Sequence, residues 1–242
     1  MSAVVPLQPD NPRSSRLVEL TMRAFELAAS ASGKAADAMG GAKLDLLAAI
    51  NADEEELDRI DQEMDGAVVY AITESAVREA NEMLTCMKCV IDLERIGDLL
   101  VSFASRASAV FPRITSDDRQ DFVRIATLLE QMIENSRTAF HERDINRAIS
   151  VLKMDNEIDR LRNLIFIRHV EGNDGTPAGP GSIQVLFMAQ ALERAGDHAK
   201  NLAEEVCHYV SGRTVRHLIR SSEKSYEQLF IDWIREKNKA SF

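Results

Sequence analysis

An all-α fold of two pseudo-symmetric three-helix bundles with a short C-terminal helical tail is predicted by three observations. Apolar residues recur at spacings of three and four along most of the chain, the alternation of a half-buried strand appears nowhere, and a three-helix block in the first half recurs in the second. Alanine, leucine, glutamate and arginine dominate, while 242 residues hold only 11 glycines and 6 prolines, which suits long helices.

Residues 1–13 carry three prolines and no apolar period, and read as a loose leader. Ser14 and Ser15 then offer an N-cap for a helix whose stripe is Leu17, Leu20, Ala24, Leu27, Ala28 and Ala31, and Gly40-Gly41 is the expected stop. A second helix is expected over about 42–72, with Leu44, Leu47, Ile50, Leu57, Ile60 and Met64 as its apolar face, and a third over about 76–107. Phe111-Pro112 and Thr115-Ser116-Asp117-Asp118 read as a linker, with Ser116 or an aspartate capping the next helix. Three further helices follow at about 117–141, 144–170 and 183–210, the last two separated by the glycine- and proline-rich stretch 172–181. The tail from Ser211 is basic through Arg213, Arg216, His217 and Arg220, then amphipathic with Leu229, Phe230, Trp233 and Ile234. The expected units are therefore 14–110, 111–218 and a tail, 219–242.

The repeat is explicit. Asp92-Leu93-Glu94-Arg95-Ile96-Gly97-Asp98 matches Ala191-Leu192-Glu193-Arg194-Ala195-Gly196-Asp197 at an offset of 99, and Glu54-Glu55-Glu56-Leu57-Asp58-Arg59-Ile60 matches Asp155-Asn156-Glu157-Ile158-Asp159-Arg160-Leu161 at an offset of 101. Two residues of difference in a joint reconcile the offsets.

Four carboxylate pairs spaced i, i+4 result: Glu54 with Asp58, Glu94 with Asp98, Asp155 with Asp159, and Glu193 with Asp197. Residues four apart lie one above the other on a helix face, so each pair stacks like charges that need compensation. Solvent counter-ions, Arg95 and Arg194, or a bound metal would each supply it. If the second and third helices of a unit face one another, four carboxylates converge into an oxygen-rich site suited to magnesium, manganese, calcium or oxidised iron, and able to admit zinc. Asn201, one turn past Asp197, extends the stripe where the first unit has Ser102, so the second unit is expected to bind more tightly. A glycine inside a helix costs about 1 kcal/mol against alanine, so Gly97 and Gly196 are expected to mark close helix approach.

Leu93-Glu94-Arg95-Ile96-Gly97-Asp98 and Leu192-Glu193-Arg194-Ala195-Gly196-Asp197-His198-Ala199-Lys200-Asn201 resemble the paired signatures of the PhoU family of phosphate-uptake regulators, over about residues 14–218. The resemblance implies two three-helix bundles and metal sites, single or multinuclear, holding iron, zinc, magnesium or manganese. Those sites map onto Glu54, Asp58, Glu94, Asp98, Asp155, Asp159, Glu193 and Asp197. It also implies a homodimeric, non-enzymatic adaptor that restrains a phosphate ABC transporter and helps a membrane histidine kinase repress the phosphate-starvation response.

Other function classes find less support. A net charge of −10 disfavours nucleic acid, and no stretch approaches the roughly 20 apolar residues of a membrane span. No secretory signal is visible, so a cytoplasmic protein able to associate peripherally at the inner face of the membrane is expected. Cys86-Met87-Lys88-Cys89 has no second pair to complete a zinc site and reads as packed side chains, as does Cys207. Glu205 and His208 match the Glu-x-x-His element of di-iron bundles, but no second copy exists. No catalytic constellation or nucleotide-binding loop is found. An accessory role at another anion transporter and a metal-storage or redox bundle remain the alternatives.

Overall fold

The computed structural model describes residues 12–72, 77–171 and 180–211. Six long helices account for nearly all of them: α1 (Pro12–Gly41), α2 (Leu44–Ile72), α3 (Val77–Val110), α4 (Ser116–Glu142), α5 (Ile145–Glu171) and α6 (Pro180–Ser211), with one turn of 3₁₀ helix at Phe111–Arg113, and no strand occurs among the described residues. The expected leader up to Asn11, the stretch 172–179 and the tail with Trp233 lie outside the described residues.

The joints depart from expectation in two instructive ways. Gly40 and Gly41 stay inside α1, and the chain turns instead at Ala42, whose φ of 53° is left-handed. Arg143, at the same place after α4, has φ 54°. Asp144 then caps α5, accepting from the backbone N–H groups of Asn146 at 2.9 Å and Arg147 at 3.2 Å. The cap of α4 is Thr115 rather than Ser116 or an aspartate: its hydroxyl accepts from the Asp118 N–H at 3.1 Å and donates to the Asp118 carboxylate at 2.6 Å.

α1, α3, α4 and α6 form the centre, with α2 laid against α1 and α3 and α5 against α4 and α6. α1 is alanine-rich where it meets its neighbours: Ala24, Ala28, Ala31, Ala35 and Ala38 are fully buried, and the Ser32 hydroxyl reaches the Ala126 carbonyl of α4 at 3.0 Å. Larger side chains seal the halves together. Phe25 of α1 and Phe140 of α4 lie 6.2 Å apart, and Phe103 of α3 meets Phe122 of α4 edge-on at 5.5 Å, all four with no exposed surface.

α3 and α6 run antiparallel, as the pairings Lys88–Glu205, Asp92–His198 and Arg106–Gln184 require. Moving the Lys88–Glu205 pair by the repeat offset of 99 gives Phe187 and Arg106, and the Arg106 guanidinium indeed lies 4.7 Å over the Phe187 ring. The duplication seen in sequence is thus a two-fold relation in space, with its axis between α3 and α6.

Candidate functional site

The repeated carboxylates lie along two seams, α2 against α3 in the first repeat and α5 against α6 in the second. The motif glycines set the approach. A Cβ on Gly97 would stand 2.8 Å from Leu57 Cδ1 and 3.5 Å from Glu54 Cγ, and one on Gly196 would stand 3.0 Å from Ile158 Cδ1 and 3.7 Å from Asp155 Oδ1. Each glycine therefore seats the first carboxylate of the opposite stripe against its own helix, as expected. Glu54 and Asp58 face Glu94 and Asp98, and Asp155 and Asp159 face Glu193 and Asp197.

The charges register that convergence. Burial pushes the Glu54 carboxyl up, with further contributions from Asp98 across the seam and Asp58 on its own helix. Glu94 is raised by burial and by Asp98, against the lowering influence of Arg95. In the second repeat Asp159 is pushed up to about 7, by burial first and then by Asp155, Glu193 and Asp197. Asp197 reaches solvent, yet partial burial, Glu193 and Asp155 push it up to about 6.

Three residues of these seams escaped the i, i+4 reading. Asp61, three residues past Asp58, joins the first stripe; burial, Asp65 and Asp58 raise it. In the second repeat Arg162 Nη2 donates to Glu193 Oε1 at 3.0 Å, and the Lys200 ammonium binds Asp155, which is 2% exposed. All three lie three residues from a predicted ligand, the other spacing that shares a helix face, which is the signal that would have found them. Of the two arginines named by the motif, Arg95 is more than half exposed and stands 3.4 Å from Glu94 and 3.5 Å from Asp98, and Arg194 is exposed.

Asn201 sits elsewhere. Its amide nitrogen is 3.4 Å from Asp92 Oδ1 of α3, and the same oxygen meets His198 Nδ1 at 2.7 Å, so both belong to the junction between the repeats. Glu205 pairs with Lys88 at 2.9 Å across that junction, which gives the Glu-x-x-His element a structural partner. None of the three cysteines is in a disulfide and all are buried, and burial pushes Cys86 up to about 12 and Cys207 to about 11, the behaviour of packed thiols.

The carboxylates of each seam offer only oxygen donors, the chemistry that suits a hard cation whose shell is completed by water. A seam is not a closed cage: among the described residues no three Asp, Glu, His or Cys side chains close on one point. A cation held there would cross-link the two helices of a seam and cancel their mutual repulsion. A surface groove lined by Val18, Met22, Glu26 and His141 borders none of these carboxylates.

The sequence model of the PhoU domain matches residues 21–107 and again residues 122–206. The chain is 26% identical to a phosphate-specific transport system accessory protein PhoU homolog of Deinococcus radiodurans, over 74% of this chain and 85% of that one. It is 31% identical to the homolog of the same name from Pseudomonas aeruginosa, over 62% of this chain and 63% of that one. Among solved structures it superposes on PhoU from Pseudomonas aeruginosa with a TM-score of 0.75 and 22% identity, covering 83% of this chain and 98% of that one. The phosphate transport system regulatory protein PhoU from Streptococcus pneumoniae gives a TM-score of 0.75 at 18% identity, covering 84% and 97%.

Proposed function

Because this chain belongs to the PhoU family, with two copies of its domain, we propose that it is a non-enzymatic accessory protein of a phosphate-specific transport system. In this reading it restrains uptake and represses the phosphate-starvation response while phosphate is plentiful, through contacts with the transporter and a membrane histidine kinase. The observation that carries the reading is the doubled Leu-Glu-Arg-x-Gly-Asp helix, packed in each repeat on a second carboxylate-bearing helix. No described helix is long and apolar enough to cross a membrane, so contact with membrane partners is peripheral in this reading. A carboxylate seam between two helices of a repeat serves it as a site for a hard divalent or trivalent cation.

The test is genetic and biochemical. Deleting the gene is expected to derepress a phosphate-scavenging reporter in phosphate-replete medium, and the tagged protein is expected to copurify with a transporter ATPase or the kinase. Unchanged reporter output in the deletion strain would overturn the regulatory reading. Oxygen-dependent metal turnover by purified protein would favour a redox bundle instead.

A further inference from the structure

Among the positions at which the first and second carboxylate seams differ, two place a cation in the second where the first has none, and the repeat makes them directly comparable. Arg162 corresponds to Asp61 at the offset of 101, and Lys200 corresponds to Val101 at the offset of 99. The second seam thus carries two cations where the first carries an acid and an apolar side chain, a formal difference of three charges.

We infer that the two seams are unequal cation sites: the first repeat accepts the metal, and in the second the Lys200 ammonium on Asp155 and the Arg162 guanidinium on Glu193 supply in advance the positive charge that a metal would bring. This rests on the metal-binding part of the proposed function.

Geometry carries the inference. Lys200 and Arg162 are held inside their seam. The Lys200 side chain is one-third exposed on an almost fully buried Asp155, and Arg162 and Glu193 are both mostly covered at 3.0 Å, with the second guanidinium nitrogen of Arg162 donating to Asn163 at 2.8 Å. Two of the four carboxylates are therefore committed, and a metal would have to evict an ordered cation from a sheltered place, which leaves a buried charge without its partner. In the first seam the cation at hand is Arg95, exposed and at 3.4 and 3.5 Å, an arrangement that holds weakly and yields readily. Asp58 and Asp98 are exposed there, leaving room for the waters that a hard cation keeps. Asn201, which would have favoured the second seam, is turned to Asp92.

The full chain, stripped with chelator and titrated calorimetrically with Mn²⁺, decides the matter, with metal-dependent shift in melting temperature as a second readout. Glu54→Gln with Asp98→Asn is expected to weaken Mn²⁺ binding by about tenfold or more, while Asp159→Asn with Asp197→Asn leaves it within about twofold. Arg162→Asp with Lys200→Val, which grafts the first seam onto the second, is expected to add a second binding event; Lys200→Met alone serves if the double variant melts below the working temperature. Loss of binding in the second-seam variant with the first-seam variant unaffected would overturn the inference and leave metal binding intact. Equal losses in both variants would do the same. No Mn²⁺ bound by wild type or by the grafted variant would overturn the metal-binding reading itself, and this inference with it.

Discussion

Gly97 of α3 lies so near Leu57 of α2 that a methyl group on the glycine would come within 2.8 Å of the leucine Cδ1. Leu57 is 1% exposed, so it has little room to retreat. Gly97→Ala gains roughly 1 kcal/mol of helix propensity but overpacks the seam at a cost of about 1–3 kcal/mol, so a net loss of stability is expected. Gly196→Ala, whose Cβ would meet Ile158 Cδ1 at 3.0 Å, is expected to lose less. Chemical denaturation of both variants checks the order, and Leu57→Val in the Gly97→Ala background should recover part of the loss.

Ala42 and Arg143 both take the left-handed conformation that ends α1 and α4, yet they should respond oppositely to glycine. Ala42→Gly removes backbone strain and is expected to raise stability by about 0.5–1 kcal/mol. Arg143→Gly removes the same strain but also deletes the 2.8 Å bond from Arg143 to the Tyr209 hydroxyl and the guanidinium 5.1 Å over that ring. A lower melting temperature is expected for it, and a higher one for Ala42→Gly.

Lys200→Met leaves Asp155 buried without its ammonium, and a loss of about 3 kcal/mol is expected at neutral pH. Adding Asp155→Asn removes the stranded charge and should restore most of it. A double-mutant cycle in which the two losses simply add would show that the pair is not coupled.

Asp118 gives the acid limb of stability a defined cause. Burial alone would raise its carboxyl, but hydrogen bonds from His169, Thr115 and Arg168 outweigh burial and hold it at about 2. Its folded value lies below the unfolded one, so the stabilisation is complete above about pH 4 and is lost as pH falls through about 2. Asp118→Asn is expected to cost on the order of 2 kcal/mol at neutral pH and to flatten the stability profile between pH 4 and 2. Unfolding free energies measured across that range in both proteins test it; parallel profiles would refute the assignment.

The helical class, the four carboxylate pairs and the duplication are legible in the sequence, because each is a local pattern, the last one simply recurring further along the chain. Helical periodicity needs only three or four residues to repeat, and Glu54 with Asp58 or Glu193 with Asp197 share a face whatever packs against them. The motif glycines were legible for the same reason, since a glycine inside a helix has a local cost that only a close neighbour repays. Packing between helices sets who stands opposite whom. That Lys200 takes Asp155, that Arg162 takes Glu193 from another helix, and that Asn201 turns to Asp92 across the repeat junction depend on the rotation of one helix against the next. Periodicity fixes a face but not the angle at which it meets its partner, and a change of about 100° per residue around the helix axis separates an ion pair in a seam from a hydrogen bond between domains.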